Sequence, residues 1–262
     1  AAALSEQLAE LEKRSGGRLG VAVLDTATGR RIAYRGDERF PMCSTFKALL
    51  AAAVLAQVDQ GKERLDRRIT YSKADLVDYS PVTEKHVGGG MTVAELCEAA
   101  ITYSDNTAAN LLLEALGGPA ALTAFLRSIG DEVTRLDRWE PELNEALPGD
   151  PRDTTTPRAM AATLRKLLLG DALSPASREQ LVDWLLANKT GDKRLRAGLP
   201  ADWRVGDKTG TGGHGTTNDI AVIWPPNRAP IVVAVYYTES QADAEARDAV
   251  IAEVGRLVAE AF

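Results

Sequence analysis

Histidine and cysteine are the scarcest chemistry-bearing residues in this 262-residue chain, with two of each. His86 stands in a polar stretch before Gly88-Gly89-Gly90, and His214 lies between Gly213 and Gly215. Neither has the spacing of a ligand pair, so no metal site built by the protein is expected. A Ser-His-Asp triad needs one histidine, but no serine sits in a Gly-x-Ser-x-Gly elbow. Cys43 and Cys97 allow one disulfide at most, which excludes a disulfide-dense scaffold. No apolar run approaches the roughly 18 to 20 residues that cross a bilayer, so a soluble chain without a membrane partner is expected. The start, Ala1-Ala2-Ala3-Leu4-Ser5-Glu6, lacks the basic and apolar regions of a signal peptide and fits a mature chain whose export signal has been removed. Excess positive charge is missing as well. The formal charge is -6, the pI is near 5.2, and Lys and Arg are dispersed, which argues against a nucleic-acid partner.

What is present suffices for a substantial core: 45% of the residues are hydrophobic and 26% charged, enough for one large domain or two intimately packed ones. Residues 4 to 14 read as an amphipathic helix, and Leu19 to Leu24 as a strand. Thr26-Ala27-Thr28-Gly29 then reads as a turn and Arg31 to Tyr34 as the hairpin partner. The Ala- and Leu-rich run from Thr45 to Val58 predicts a buried helix that stops near Gly61. Further helices are expected over 92 to 102, 107 to 116, 119 to 128, 157 to 169 and 175 to 187. Strand signals return at Val205, Ile220 to Trp224 and Ile231 to Tyr237, and a helix from about 243 to 261 closes the chain. Strands at both ends with helices between predict a discontinuous α/β (α+β) arrangement whose sheet is mainly antiparallel, because no helix intervenes between the later strands.

Ser44 and Lys47 form a Ser-x-x-Lys motif at the start of the apolar helix, and a spacing of three puts both on one helical face. An amine beside a hydroxyl can take its proton once burial or a neighbouring cation disfavours the charged amine. The helix N-terminus adds N–H groups for a developing oxyanion. Alone the motif is close to chance, about one occurrence in a chain this long. Ser104-Asp105-Asn106, between two helices, and Lys208-Thr209-Gly210 are each expected in on the order of one chain in twenty. Lys-Thr-Gly occurs twice. The earlier copy, Lys189-Thr190-Gly191, follows a helix and reads as structural, with Gly191 as a C-terminal cap and Lys189 as a favourable charge in the last turn. The later copy lies on a strand whose glycines allow close approach of a ligand.

With these motifs in this order the chain resembles the class A serine β-lactamases nearly end to end. The segments Pro41-Met42-Cys43-Ser44-Thr45-Phe46-Lys47 and Tyr103-Ser104-Asp105-Asn106-Thr107-Ala108-Ala109-Asn110 carry the resemblance, together with Arg138-Trp139-Glu140-Pro141-Glu142-Leu143-Asn144. That last segment opens an aperiodic stretch to about Asp153, which the family calls the omega loop. The resemblance implies a β-lactamase/transpeptidase-like fold with an antiparallel sheet flanked by helices and an all-helical subdomain. Residues 1–40 and 187–262 would form the discontinuous part. Residues 41–186 would form the helical part carrying Ser44, Ser104 and the loop.

The resemblance also implies roles. Ser44 attacks a β-lactam carbonyl, with the backbone N–H groups of Ser44 and Thr211 as oxyanion hole, and Lys47 or Glu140 serves as base for acylation. Ser104 relays a proton, and Glu140 with Asn144 holds the hydrolytic water. Asn106 binds the acyl side-chain amide, and Lys208, Thr209 and Arg194 bind the substrate carboxylate. Tyr79 walls the cleft, and Asp78, Gly212 and Gly213 shape side-chain tolerance. Arg138 and Asp153 pair to close the loop, and Glu140-Pro141 is a cis bond. Where many members have an arginine on the strand after Lys-Thr-Gly, this chain has Thr217, and Arg194 matches the alternative source of that guanidinium. Ala51 and Gly212 stand where other members carry partner cysteines, so both cysteines are expected free. A monomer, periplasmic or secreted, acting on a small β-lactam without cofactor or metal is the implied whole. A penicillin-binding transpeptidase, carboxypeptidase or sensor domain shares three of the motifs but lacks the loop. A non-catalytic scaffold has no reason to keep all four.

Overall fold

The computed structural model describes residues 2–262. Helix α1 (Ala2–Ser15) forms where Leu4, Leu8 and Leu11 recur at helical spacing, and all three are buried. Strands β1 (Arg18–Asp25) and β2 (Arg31–Tyr34) pair antiparallel across a turn in which the Asp25 carboxylate accepts the Ala27 N–H and the Thr28 hydroxyl. The short β3 (Phe40–Pro41) leads into one 3-10 turn, Cys43–Thr45, and then α2 (Phe46–Asp59). Helix α2 is apolar on every side and buried from Phe46 to Ala56, so it is the axis of the core.

Two-residue strands β4 (Arg68–Ile69) and β5 (Met91–Thr92) tie off the excursion that follows. Caps then set the helix starts. Thr92 and Glu95 make a reciprocal capping box for α3 (Val93–Thr102), Asp105 caps α4 (Asn106–Leu116), and Pro119 opens α5 (Pro119–Ser128). Strand β6 (Thr154–Thr155) pairs with β3. Thr156 and Ser174 cap α6 (Pro157–Leu168) and α7 (Pro175–Leu186). The short α8 (Leu195–Gly198) precedes β7 (Arg204–Gly212), β8 (Thr216–Trp224), β9 (Ile231–Thr238) and α9 (Ala244–Ala261).

The main sheet has the order β2-β1-β9-β8-β7 and is antiparallel throughout, so the chain's two ends meet at the β1–β9 pairing. Alternation along the strands sends Val21, Val23, Val233 and Val235 to a layer made by α1 and α9. Ala22, Leu24, Val222, Val232 and Ala234 join the larger core that contains α2. This mixed architecture is the one the strand and helix signals predict. Strand β8 begins at Thr216, not Ile220, because Thr216, Thr217, Asn218 and Asp219 are buried polar residues whose partners come from distant segments. Helix α8 and the two-residue ladders are too short to leave a periodic signal. No single helix is long and apolar enough to cross a membrane. Helices α4 and α5 meet that length and composition only as a pair bent by 69°, and their leucines lie in the core.

Helices α8 and α9 cross where neither carries a side chain. A Cβ on Gly198 would lie 1.8 Å from the Ala252 carbonyl oxygen, and one on Gly255 would lie 2.6 Å from that of Leu195. Gly198→Ala is therefore expected to cost ~2 kcal/mol or more of stability. Gly89→Ala, with nothing near its added carbon, should stay within about 0.5 kcal/mol of wild type in the same denaturant titration.

Candidate active site

The nucleophile candidate is presented by a constrained backbone. Cys43 takes φ 49°, a conformation a non-glycine residue seldom adopts, and turns the chain from β3 into the 3-10 turn that holds Ser44. Its thiol is buried, which pushes its pKa up, and both cysteines are unpaired. The fully buried Asn218 of β8 donates to the carbonyls of Pro41 (2.9 Å) and Met42 (3.1 Å), pinning the approach to Ser44. Thr45 bonds the Met42 carbonyl at 2.9 Å and the Tyr236 hydroxyl at 3.0 Å. Strand β7 passes so near that a Cβ on Gly210 would lie 3.1 Å from the Ser44 amide nitrogen and 2.7 Å from the Met42 oxygen. Only glycine permits that approach, and it brings Thr211 beside Ser44.

Lys47, on the first turn of α2, has no exposed surface. Its ammonium donates to the Ser104 carbonyl at 2.7 Å, Asn106 Oδ1 at 2.7 Å and Ser104 Oγ at 3.1 Å, and lies 3.4 Å from Glu140 Oε1. Burial lowers its pKa, and the Glu140 charge opposes that shift. Ser104 is held at φ 58° in the bend between α3 and α4, which aims both its carbonyl and its hydroxyl at this lysine. The same hydroxyl accepts from Lys208 Nζ at 3.2 Å. Lys208 is equally buried, and desolvation with the Lys47 charge pushes its pKa well down. A hydroxyl that accepts from two amines has its own proton free to donate elsewhere.

The stretch from Arg138 to Asp153 has no regular structure beyond one 3-10 turn, Glu142–Asn144. Side chains hold it instead. Asp153 accepts from the Asp137 and Arg138 N–H groups and pairs with the Arg138 guanidinium at 2.7 Å. Asn110 of α4 grips the Glu140 peptide from both sides, accepting its N–H and donating to its carbonyl, each at 3.0 Å. The Glu140-Pro141 bond is cis. Asn144 Nδ2 donates to Glu140 Oε2 at 2.5 Å. Glu140 Oε1 and Asn144 Oδ1 are buried without a hydrogen-bond partner. At the loop's far end Gly213 N–H bonds the Asn144 carbonyl, and a Cβ on Gly212 would lie 2.7 Å from that oxygen and 2.5 Å from Cys43 Sγ.

The opposite wall overturns one expectation. The earlier Lys-Thr-Gly copy is part of the cleft: Thr190 shares a 2.6 Å hydrogen bond with Thr209 and lines the same cavity. Helix α7 ends at Leu186, too early for Gly191 to cap it, and Gly191 is needed because a Cβ there would meet the Asp207 carboxylate at 2.2 Å. A repeated tripeptide was the available signal, and its nearness to a helix end hid its role. Arg194 is no ordinary surface arginine. It pairs with Asp248 at 2.9 Å, donates to the carbonyls of Gly210 and Asn218, and reaches the Thr211 hydroxyl at 2.6 Å. Asn218 and Asp248 lie in no motif, and Asn110 lies in the Tyr103–Asn110 segment without an assigned role, so their contributions emerge only in three dimensions.

Ser44, Tyr79, Ser104, Asn106, Asn144, Thr190, Arg194, Thr209 and Thr211 surround one cavity of about 340 Å³. Tyr79 stands 58% exposed at its mouth. Lys47, Glu140 and Lys208 lie immediately beneath. Buried amines, a buried carboxylate and a serine with backbone amides close by suit acyl transfer. The sequence model of the Beta-lactamase enzyme family matches residues 3–262. The solved structure of an Ancestral (GNCA) class A β-lactamase is 94% identical, superposes with a TM-score of 0.98, and covers 99% of this chain and 100% of that one. The chain belongs to the class A β-lactamases. Among natural relatives, the OXY-1 β-lactamase of Klebsiella oxytoca is 58% identical over 258 residues, 98% of this chain and 89% of that protein. The structure of PenP, a putative class A β-lactamase from Rhodopseudomonas palustris, is 67% identical with a TM-score of 0.98, covering 99% of this chain and 100% of that one.

Behind Lys208 this β-lactamase buries two acids. Asp207 Oδ1 accepts from Asn188 and Arg196, and an oxygen of Asp219 takes the Leu195 N–H. Their other oxygens have no donor. Burial, and then the Asp207 charge, hold the Asp219 pKa well above the carboxylate range. A raised folded pKa gives stability that is complete below the unfolded value and is lost as pH rises through the folded one. As pH rises above the ordinary carboxylate range, melting temperatures should therefore fall more steeply for wild type than for Asp219→Asn. Parallel profiles would show that the Asp219 pKa is not raised in the folded protein.

Proposed function

We propose that this β-lactamase opens the lactam amide of penicillins and cephalosporins through a Ser44 acyl-enzyme, and that a water activated by Glu140 then releases it. The observation that carries this reading is the buried Glu140 carboxylate, whose Oε1 has the Lys47 ammonium at 3.4 Å but no hydrogen bond, with Asn144 Oδ1 also buried and without a hydrogen-bond partner. Buried acceptors without a hydrogen bond call for a donor, and one water giving a hydrogen to each would satisfy both. Glu140 then removes its proton as the oxygen attacks the ester.

In acylation the Ser44 proton passes to the Lys47–Glu140 pair as Oγ bonds to the lactam carbon. The carbonyl oxygen takes up the electron pair beside the Ser44 and Thr211 N–H groups. Collapse breaks the C–N bond, and the nitrogen takes the Ser104 proton, which the lysines on either side replace. Lys208, Thr209, Arg194 and the Thr211 hydroxyl set positive charge and donors where a substrate carboxylate would lie. Asn106 uses Oδ1 on Lys47 and one Nδ2 hydrogen on the Asp78 carbonyl, leaving the second for a substrate amide. This reading divides the chain into 1–40 with 187–262 and 41–186, and the cleft lies between residues of the second span, Ser44, Ser104 and Asn144 among them, and Thr190, Arg194 and Thr209 of 187–262. The same reading has the enzyme working as a monomer, periplasmic or secreted, without metal or cofactor.

Mass spectrometry after mixing with a penicillin separates hydrolysis from durable acylation. Wild type should return to its free mass, Glu140→Ala should retain the adduct, and Ser44→Ala should neither acylate nor raise hydrolysis above the buffer rate. A long-lived adduct on wild type would instead mark a penicillin-binding transpeptidase. Lys208→Ala should lower kcat/KM by about tenfold or more, chiefly through KM, if the lysine binds a ground-state carboxylate.

A further inference from the structure

A second cavity, of about 360 Å³, lies in a groove between the sheet edge and α6 and shares no lining residue with the catalytic cleft. Its origin is geometric. Strand β2 is the edge of the sheet and only four residues long, and α6 packs over β1 and β9. The α6-facing side of β2 is left partly open at Ala33. Small side chains keep the groove from closing: Ala22 and Ala33 on the sheet face Ala159 and Ala162 on the helix, and alanine cannot span such a gap.

The rim is charged against the trend of the molecule. The chain carries a formal -6, yet the groove is lined by Arg31 from the sheet and Arg158, Arg165 and Lys166 from α6, with Asp37 as its sole acid. Asp37 pairs with Arg158 at 3.2 Å across two exposed side chains, a contact that contributes little. Lys166 donates to the Ile129 carbonyl. Arg31 and Arg165 make no ion pair among the described residues. They stand on opposite banks of the one cavity that both line. An apolar floor with a few convergent polar groups, at this volume, is the usual form of a small-molecule site.

We propose that this groove is a second binding site, taking a soluble organic anion with an apolar body and one carboxylate or sulfonate head. The body packs on the alanines and Leu24, and the head bridges Arg31 and Arg165.

The test uses 8-anilinonaphthalene-1-sulfonate as anionic probe and N-phenyl-1-naphthylamine as its uncharged counterpart, titrated into the folded enzyme by calorimetry and fluorescence. Saturable one-to-one binding of the sulfonate is expected, at least about tenfold tighter than the amine and weakened by salt. Arg31→Glu with Arg165→Glu should weaken it by about tenfold or more, and Ala162→Trp, which fills the groove, should abolish it. Both variants are surface changes that should keep the wild-type melting temperature. Should Ala162→Trp fail to fold, Ala33→Met obstructs the groove from the other bank. The proposal is overturned if wild type shows no saturable binding, if the uncharged probe binds equally well, or if affinity is indifferent to the charge reversals or to the filled groove.

Discussion

The interaction on which the rest of the site depends is the solvation of one buried ammonium. Lys47 sits in the helix at the centre of the core, where water cannot reach it, and an isolated charge there would be prohibitively costly. Protein oxygens replace its hydration shell: Ser104 and Asn106 from the α3–α4 bend, and Glu140 from the long loop. Solvating the lysine therefore gathers the other reactive groups. A single charge in the core acts as the organiser of segments nearly a hundred residues apart.

Close backbone approach supplies the second constraint. The strand with Lys208 and Thr209 must lie against the turn with Ser44, and at Gly210 and Gly212 a side chain would strike backbone or sulfur at 2.7 Å or less. Close packing at that seam gives the cleft a fixed width. Arg194 reinforces it by tying the carbonyls of two adjacent strands to the Thr211 hydroxyl. The glycines set separation, and the guanidinium sets orientation.

The irregular loop shows how a segment without periodic hydrogen bonds becomes rigid. Asp153 takes two N–H groups and a guanidinium, and Asn110 matches both polar groups of the Glu140 peptide. Each bond replaces one that a helix or strand would have provided. The exception is instructive, since the oxygens of Glu140 and Asn144 that lack a hydrogen bond occur where the proposed chemistry needs an acceptor. Local incompleteness in a loop whose other buried polar side chains are bonded is a mark of function more than of poor packing.

Much of this was legible in the chain alone. Leucine and alanine periodicity and strand-type runs joined by turns announced the helices and the antiparallel sheet, because those elements depend on neighbours within a few residues. Ser44, Lys47, Ser104 and Lys208 announced themselves through short motifs, and the resemblance to a family marked Glu140. Other features could not be read this way. Strand β8 begins on buried threonines and an asparagine whose partners lie far away in sequence, and Thr190 looked like part of a helix end. Asn110, Asn218 and Asp248 stand in no motif that assigns them a role. Sequence determined which groups exist and which local turn each occupies. Tertiary structure alone decided that Lys47, Glu140 and Lys208 would be stripped of water together, and burial is what loosens the proton on each of the two lysines.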